Sequence, residues 1–501
     1  MERDDTWCGM PLKDILSGAL AAASLAAVLA SPVGATVFTV GPGKTFVTPE
    51  HIQWSEVHPG DTVVIYPGTY PSLLGTGNSM VVYGVKGTAA KPITVEASST
   101  TNIPKLNAGI EIAGGSQFVT ISHLDVSRPL TQQYAAVVVQ GSAAHIVLSG
   151  LVVHNSYVGV QFTNTGLQNV LQDSQVYDNR EHGVTAAPPN TAFVPDASHV
   201  SLMTANVIHD NGAHGIEITG PYWTIEHNHL THNGGSVHGT SGIHVYSTTD
   251  VSGTYGCNHN VISYNYVTDQ QDLDGTDGNG IQIDDFCDDN SIAFNVVWAN
   301  AGAGISVLDA KGNTVFSNTS YKNATDTGRA RKLPGVFRGE IILGSMSDLC
   351  SNPDVLPSHC QVPAGRSSDN VVKNNLVVSG QSAVPGVFVS PDAVRRNTNY
   401  LYENMYHNLG SSTTGIELLW NEVPYYSAAT IDAATGQAHR SGHSLVETPY
   451  FVAAATPGSD GLELSKKPSL DGAIVTPPAR DIRGVLPEAG DSRFGAYYKT
   501  P

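Results

Sequence analysis

The stretch NGIQIDDFCDDNSIAFN, from Asn279 to Asn295, joins a glycine, a short apolar strand and two asparagines five residues apart. The same phrase recurs along the chain. Its strands are GIEI from Gly215, GIHV from Gly242, GISV from Gly304, GEIIL from Gly339, GVFV from Gly386 and GIEL from Gly415. The matching asparagine pairs are Asn260 and Asn265, Asn313 and Asn318, Asn370 and Asn375, Asn399 and Asn404. A period of roughly 22–30 residues is the mark of a solenoid. One such unit has too little apolar surface for a core of its own, so units must stack and share one. Apolar positions alternate with a period of two, which makes each unit a coil of short strands. Asparagines stacked at one corner can hydrogen-bond along the stack and satisfy turn backbone that would otherwise be buried unpaired. The expected fold is an all-β parallel β-helix.

Working outward, FTVGPGKTF from Phe38 and PGDTVVIYPGTY from Pro59 precede the repeats. ETPYF from Glu447, KPSLDGA from Lys467, DIRG from Asp481 and FGAYY from Phe494 follow them. With the repeats, these segments resemble the first coils and the closing segment of the right-handed parallel β-helix proteins of the pectin-lyase-like superfamily. The resemblance covers most of the chain after its first residues. It implies a single-domain right-handed solenoid, with β-helix over 36–427 and a closing segment, 428–501, packed on it. TPEHIQWSEV from Thr48 reads as a short capping helix, Thr48 at the N-cap and Pro49 in the first turn. The superfamily includes polysaccharide lyases, glycoside hydrolases, epimerases, phage tail spikes and adhesins, so the fold does not choose a chemistry.

Ile15 to Ala30 is apolar, too short to cross a membrane comfortably, and followed by the small-residue site Val33-Gly34-Ala35. It reads as a signal peptide over 1–35, which directs the protein to secretion or the periplasm. The acidic run from Glu2 to Asp14 is unusual ahead of such a segment, and a start at Met10 would give a more ordinary one. Removing 1–35 takes away Cys8 and leaves Cys257, Cys287, Cys350 and Cys360, an even number that suggests disulfides. Cys257 and Cys287 each lie three residues before a corner asparagine, hence one coil apart at the same position. Neighbouring strands are ~4.8 Å apart, within reach of a disulfide. Cys350 and Cys360 close an inserted loop. The formal charge of −19 argues against nucleic acid as a partner. It also makes an anionic glycan awkward unless cations bridge it or a local basic patch exists. A monomer is expected.

Inward-facing apolar residues leave the middle position of each GIxI strand facing out. Through successive coils that row reads Glu217, His244, Gln282, Ser306 and Glu340. A second row, two residues on, reads Thr219, Tyr246, Asp284 and Leu308. In the resembling enzymes such a face binds sugar chains, so His244, Glu217, Asp284 and Tyr246 are the candidate catalytic residues. Gln282, His214, His182 and Arg338 are the candidate substrate-binding residues. The two histidines precede the glycine of their strands and stack at the bordering corner. Arg338 ends an insertion that also carries Arg329, Arg331 and Lys332. Asp272, Asp274 and Asp277 offer hard oxygen ligands for calcium, with a solvated polar turn as the competing reading. The run HNHLTHN from His227 has its three histidines spread over a strand and a turn, which speaks against zinc.

Where alginate lyases of the superfamily carry a catalytic lysine, the similar segment ISVLDAKGNTVFSN from Ile305 has Leu308, with Lys311 displaced to a turn. There is also no match to the multi-aspartate signature of polygalacturonases. The leading expectation is a lyase that cleaves a uronate-containing polysaccharide by β-elimination, with His244 as base. A glycoside hydrolase using Glu217 and Asp284 stands second, and a glycan-binding protein without activity third.

Overall fold

The computed structural model describes residues 34–501 apart from 164, 189–195, 248–255, 274, 327–336, 351–359, 361, 411–414, 436–443, 454–460, 467, 470–479, 487–493 and 499–501. The expected signal peptide therefore lies almost wholly outside the described residues. Among the described residues three sheets of thirteen strands run along the stack, each strand of a coil pairing with its counterpart one coil away. Among the described residues all pairings between strands of successive coils are parallel; the terminal hairpin of Leu418–Trp420 with Val423–Tyr425 is antiparallel, as are the isolated bridges Thr88–Lys91 and Phe451–Leu464. The chain is a β-helix. Among the described residues no helix is long and apolar enough to cross a membrane.

The core is built from columns of like residues. Ile216, Ile243, Ile281, Ile305 and Ile341 pair in register and are fully buried. Burying each such side chain contributes about 1.5–3 kcal/mol. Two asparagine ladders run where the sequence placed them. In one, the backbone N–H of Asn265 donates to Asn295 Oδ1, Asn295 to Asn318, Asn318 to Asn375 and Asn375 to Asn404, all at 2.9–3.0 Å. The preceding residue, for example Tyr264, Phe294 or Ser317, has a left-handed φ of 52–58°. The asparagine ladder pays for that turn by satisfying its backbone. A third ladder, unforeseen from the sequence, joins Asn211, Asn233, Gln270, Asn300 and Asn323 at the corner before the glycines.

That ladder ends in a correction. Glu340 does not belong to the outward row, because Ser306 pairs with Ile342. GEIIL carries one residue more than GIxI, so Glu340 takes the place of the glycine, its carbonyl accepting from Ile305 as that of Gly304 accepts from Ile281. Its carboxylate turns into the corner and accepts from Ser320 Oγ, Asn323 N and Asn323 Nδ2 at 2.6–2.9 Å. Burial outweighs these bonds and pushes its pKa to about 7.

The expected capping helix is also different. The segment forms two 3₁₀ turns, Pro49–His51 and Trp54–Glu56, and Thr48 Oγ1 pairs with His51 Nδ1 at 2.7 Å instead of capping. Ile52 and Val57 both enter the core. Five residues apart, they would lie about 140° apart on an α-helix, and the break at Gln53 lets both point inward. At the other end the helix Ala428–Ala434 buries Ile431 in the same core, and Leu445–Val446 adds a last parallel strand beyond residue 427. Phe494, Ala496 and Tyr497 then pack over Val296, Trp298 and Leu376 on the outside of one sheet. Cys257 is bonded to Cys287 and Cys350 to Cys360, with Cα separations of 4.9 and 5.6 Å.

Candidate active site

The strands Ile216–Ile218, Ile243–Val245 and Ile281–Ile283 pair so that Glu217, His244 and Gln282 stand side by side. Tyr246 and Asp284 follow two residues on. The register expected from the cysteine offset therefore holds in the coils that carry the candidate residues. His244 occupies the centre. Its Nδ1 lies 3.7 Å from Glu217 Oε2 and its Nε2 lies 3.6 Å from Asp284 Oδ2. Both ring nitrogens are closed off from solvent and have no nearer partner.

Burial would lower the pKa of His244, but the two carboxylates outweigh it and raise it to about 9. Burial would likewise raise Glu217, yet His244 and the neighbouring histidines hold it down at about 2. At neutral pH the centre is thus an imidazolium between two carboxylates. An imidazolium with shielded nitrogens is no base toward a substrate, so the role expected for His244 does not suit its geometry. The carboxylates do reach solvent, with 25% of the Glu217 side chain and 14% of that of Asp284 exposed.

The remaining expected residues fall into supporting positions. His182, His214 and His244 form one stack, with ring centroids 5.3 and 4.4 Å apart. His214 Nδ1 accepts from the Ser241 backbone N–H at 2.9 Å, which leaves the proton on Nε2, 3.5 Å from Glu217 Oε2. Burial and the nearby His244 keep His214 well below its ordinary pKa. Gln282 is buried: it accepts from Ser241 Oγ and Asn279 Nδ2, and it donates to Asp284 Oδ2 at 2.9 Å. It therefore holds Asp284 in place and does not face a ligand. Tyr246 stacks on His244 at 5.2 Å, and burial followed by the charges of Asp285, Asp284 and Glu217 raises its pKa. Arg338 is not drawn into the centre; it donates to the Asp326 carbonyl. Arg329, Arg331 and Lys332 lie outside the described residues.

His182, His214 and Glu217 each bring one potential metal ligand within 4.8 Å of the others. The donor set does not fit a metal, because the protonated Nε2 of His214 turns no lone pair toward Glu217. In the expected calcium loop, Asp272 Oδ1 accepts from the N–H groups of Gly275 and Thr276. Asp277 Oδ1 accepts from Asn279, and Asp274 lies outside the described residues. The histidines of HNHLTHN separate as the sequence implied: His227 stacks on Tyr264, His229 meets Tyr266 edge-on and His232 pairs with Asp269 at 2.9 Å.

Four residues escaped the sequence reading. Tyr157 Oη donates to Glu181 Oε1 at 2.5 Å beside His182, and both line a 340 Å³ cavity that also reaches Glu217. Tyr134 borders this cavity and a neighbouring one of 420 Å³. Asp285 is buried, and burial followed by the charges of Asp284 and Asp309 pushes it up to about 8. None lies on the alternating outward row, which was the one signal available for finding them.

The sequence matches the family model of the right-handed β-helix region over residues 83–254 and 198–330. The chain is a right-handed β-helix protein. No curated relative matches it by sequence. Among solved structures, the A-module of the mannuronan C-5 epimerase AlgE6 of Azotobacter vinelandii is similar with a TM-score of 0.52 at 14% identity, over 77% of this chain and 90% of that one. The A-module of the epimerase AlgE4 of the same organism gives 0.49 at 13% identity, over 73% and 88%. Pectate lyase Pel9A gives 0.42 at 14% identity, over 93% and 96%. At 14% identity the likeness to the AlgE6 module concerns the fold alone of this β-helix protein.

Proposed function

We propose that this protein is an exported glycoside hydrolase that cleaves a neutral polysaccharide with Glu217 and Asp284, His244 passing protons between them. The observation that carries the reading is the buried imidazolium bridging two solvent-reaching carboxylates. Contacts of 3.7 and 3.6 Å across one ring keep the carboxylate oxygens under about 10 Å apart, near the ~6.5–9.5 Å of an inverting glycosidase. Glu217, ionised, takes a proton from water as its oxygen bonds to the anomeric carbon. Asp284, supplied from His244, protonates the leaving oxygen as the glycosidic bond breaks. The proton gained by Glu217 returns through His244, so the three groups end with the proton they began with.

Charge supports a neutral substrate. The cavities beside the centre are lined by Glu111, Glu181 and Glu217, against the single cation Arg128. Arg128 is already engaged by Gly77 O and Asn78 Oδ1. Such a lining repels a polyanion. The two disulfides fit an oxidising compartment.

Elimination at a uronate is the second reading, favoured by the Tyr246 phenol stacked on the His244 imidazolium, a proton donor beside a cation. On that reading calcium held by Asp272, Asp274 and Asp277 would neutralise the substrate carboxylate, and a chelator would abolish activity.

A panel of neutral and uronate polysaccharides separates the readings. Hydrolysis yields new reducing ends without unsaturated products, reduced at least ~100-fold in both Glu217→Gln and Asp284→Asn. Unsaturated, ultraviolet-absorbing ends would replace hydrolysis by elimination. No product from any polymer would leave a glycan-binding protein.

A further inference from the structure

The outward row changes character at His244. On its N-terminal side Val138, Gln161, Thr185 and Glu217 are each partly exposed. The two cavities there share Tyr134 and Gln161, so they join into one trough along the coils that ends at Glu217. On the C-terminal side Gln282 and Ser306 are 2% exposed and Ile342 is 3% exposed. Leu308, Phe337, Ile342 and Leu349 form a separate apolar cluster over this part of the face, with Phe388 packed against it. Phe337 lies so close to the sheet that a Cβ on Gly344 would stand 2.8 Å from its ring, and it stacks on Phe388 at 4.8 Å. A sugar chain can continue from the centre in one direction and meets a wall in the other.

We propose that the protein acts at chain ends: the polymer lies in the trough over Tyr134 and Gln161, and its terminus abuts the Leu308–Phe337–Leu349 wall. This rests on the hydrolytic reading above and adds the mode of attack. From the His244 row to the Ser306 row is two coils, ~10 Å, which limits the chain beyond the cleavage point to at most about one or two sugar rings. Tyr134, 66% exposed, is a stacking platform for a ring in the trough and takes no part in the chemistry.

The test uses the wild-type protein on a neutral polymer that it cleaves. Reducing ends and viscosity are followed together, and products are sized by mass spectrometry. End attack releases one short product size while viscosity barely falls. Tyr134→Ala should raise KM for the polymer about 3- to 10-fold with kcat unchanged. Phe337→Ala, which opens the wall, should add longer products; the wild-type measurement decides the matter even if that variant does not fold. Viscosity collapsing ahead of reducing ends, with products of mixed length, overturns end attack and leaves hydrolysis standing. No product from any glycan overturns the hydrolytic reading, and end attack falls with it.

Discussion

Replacing His244 by glutamine removes the cation between Glu217 and Asp284 while keeping a side chain of similar length. Its folded pKa of about 9 lies above the ordinary 6.5, so the folded protein holds this proton more tightly than the unfolded chain does. The resulting stabilisation is fully present below pH 6.5 and is lost as pH rises through 9. A shift of this size corresponds to about 3 kcal/mol. The low pKa of Glu217 arises largely from the same contact and is not added to it. Histidine-selective carbon-13 labelling follows each ring through a titration, and His244→Gln identifies the signal that belongs to His244. That signal should titrate near pH 9. Denaturant unfolding should place the variant about 3 kcal/mol below wild type near neutrality, with the gap closing above about pH 10. A His244 signal titrating at or below 6.5, or a stability gap that does not change with pH, would refute the reasoning.

Glu340 shifts stability with pH in the same direction, for a different reason: burial disfavours its charged form. Its folded pKa of about 7 is raised from 4.5, so stability is greatest at low pH and falls by about 3 kcal/mol as pH rises from 4.5 through 7. Glu340→Gln should flatten that dependence in denaturation midpoints measured from about pH 5 to 8, at the cost of the bond from Asn323 Nδ2. Asn295→Ala removes the acceptor of the Asn265 N–H and the donor to Ile262 O. It should cost roughly 2–4 kcal/mol, and an unchanged melting temperature would show that the ladder contributes nothing net. Removing the Cys257–Cys287 bond, which spans 30 residues, should cost roughly 3–4 kcal/mol. Its loss should also broaden the His244 and His214 signals, because it pins the coils that carry the centre.

Glu217, His244, Tyr246 and Asp284 were legible as one patch because a strand alternates with period two, and the repeated asparagines give each coil a common origin. The same logic failed at Glu340. One additional residue in GEIIL leaves two ways to align the phrase, and the choice is made by pairing with Ile305 and Gly304 in the coil below. Tyr134, Tyr157, Glu181 and Asp285 stayed hidden for a related reason. They sit in turns and loops, where direction is set by local backbone and by the neighbouring coil, with no period to read.

The sequence by itself determined the solenoid, two of its corner ladders, the pairing of Cys257 with Cys287 and of Cys350 with Cys360, and the sharing of one face by Glu217, His244, Tyr246 and Asp284. These follow from short-range periodicity, which survives in one dimension because every coil contacts only its neighbours. Only the tertiary structure decided the protonation of those residues and the side on which the face is closed. A base became a buried cation because burial and two carboxylates, brought from separate coils, act on one ring. The face ends in a wall because Phe337 and Leu349, from two insertions that flank the strand Ile341–Gly344 and carry no repeat of their own, pack with Leu308 and Ile342. Both depend on groups far apart in the chain, whose mutual distances no local pattern encodes.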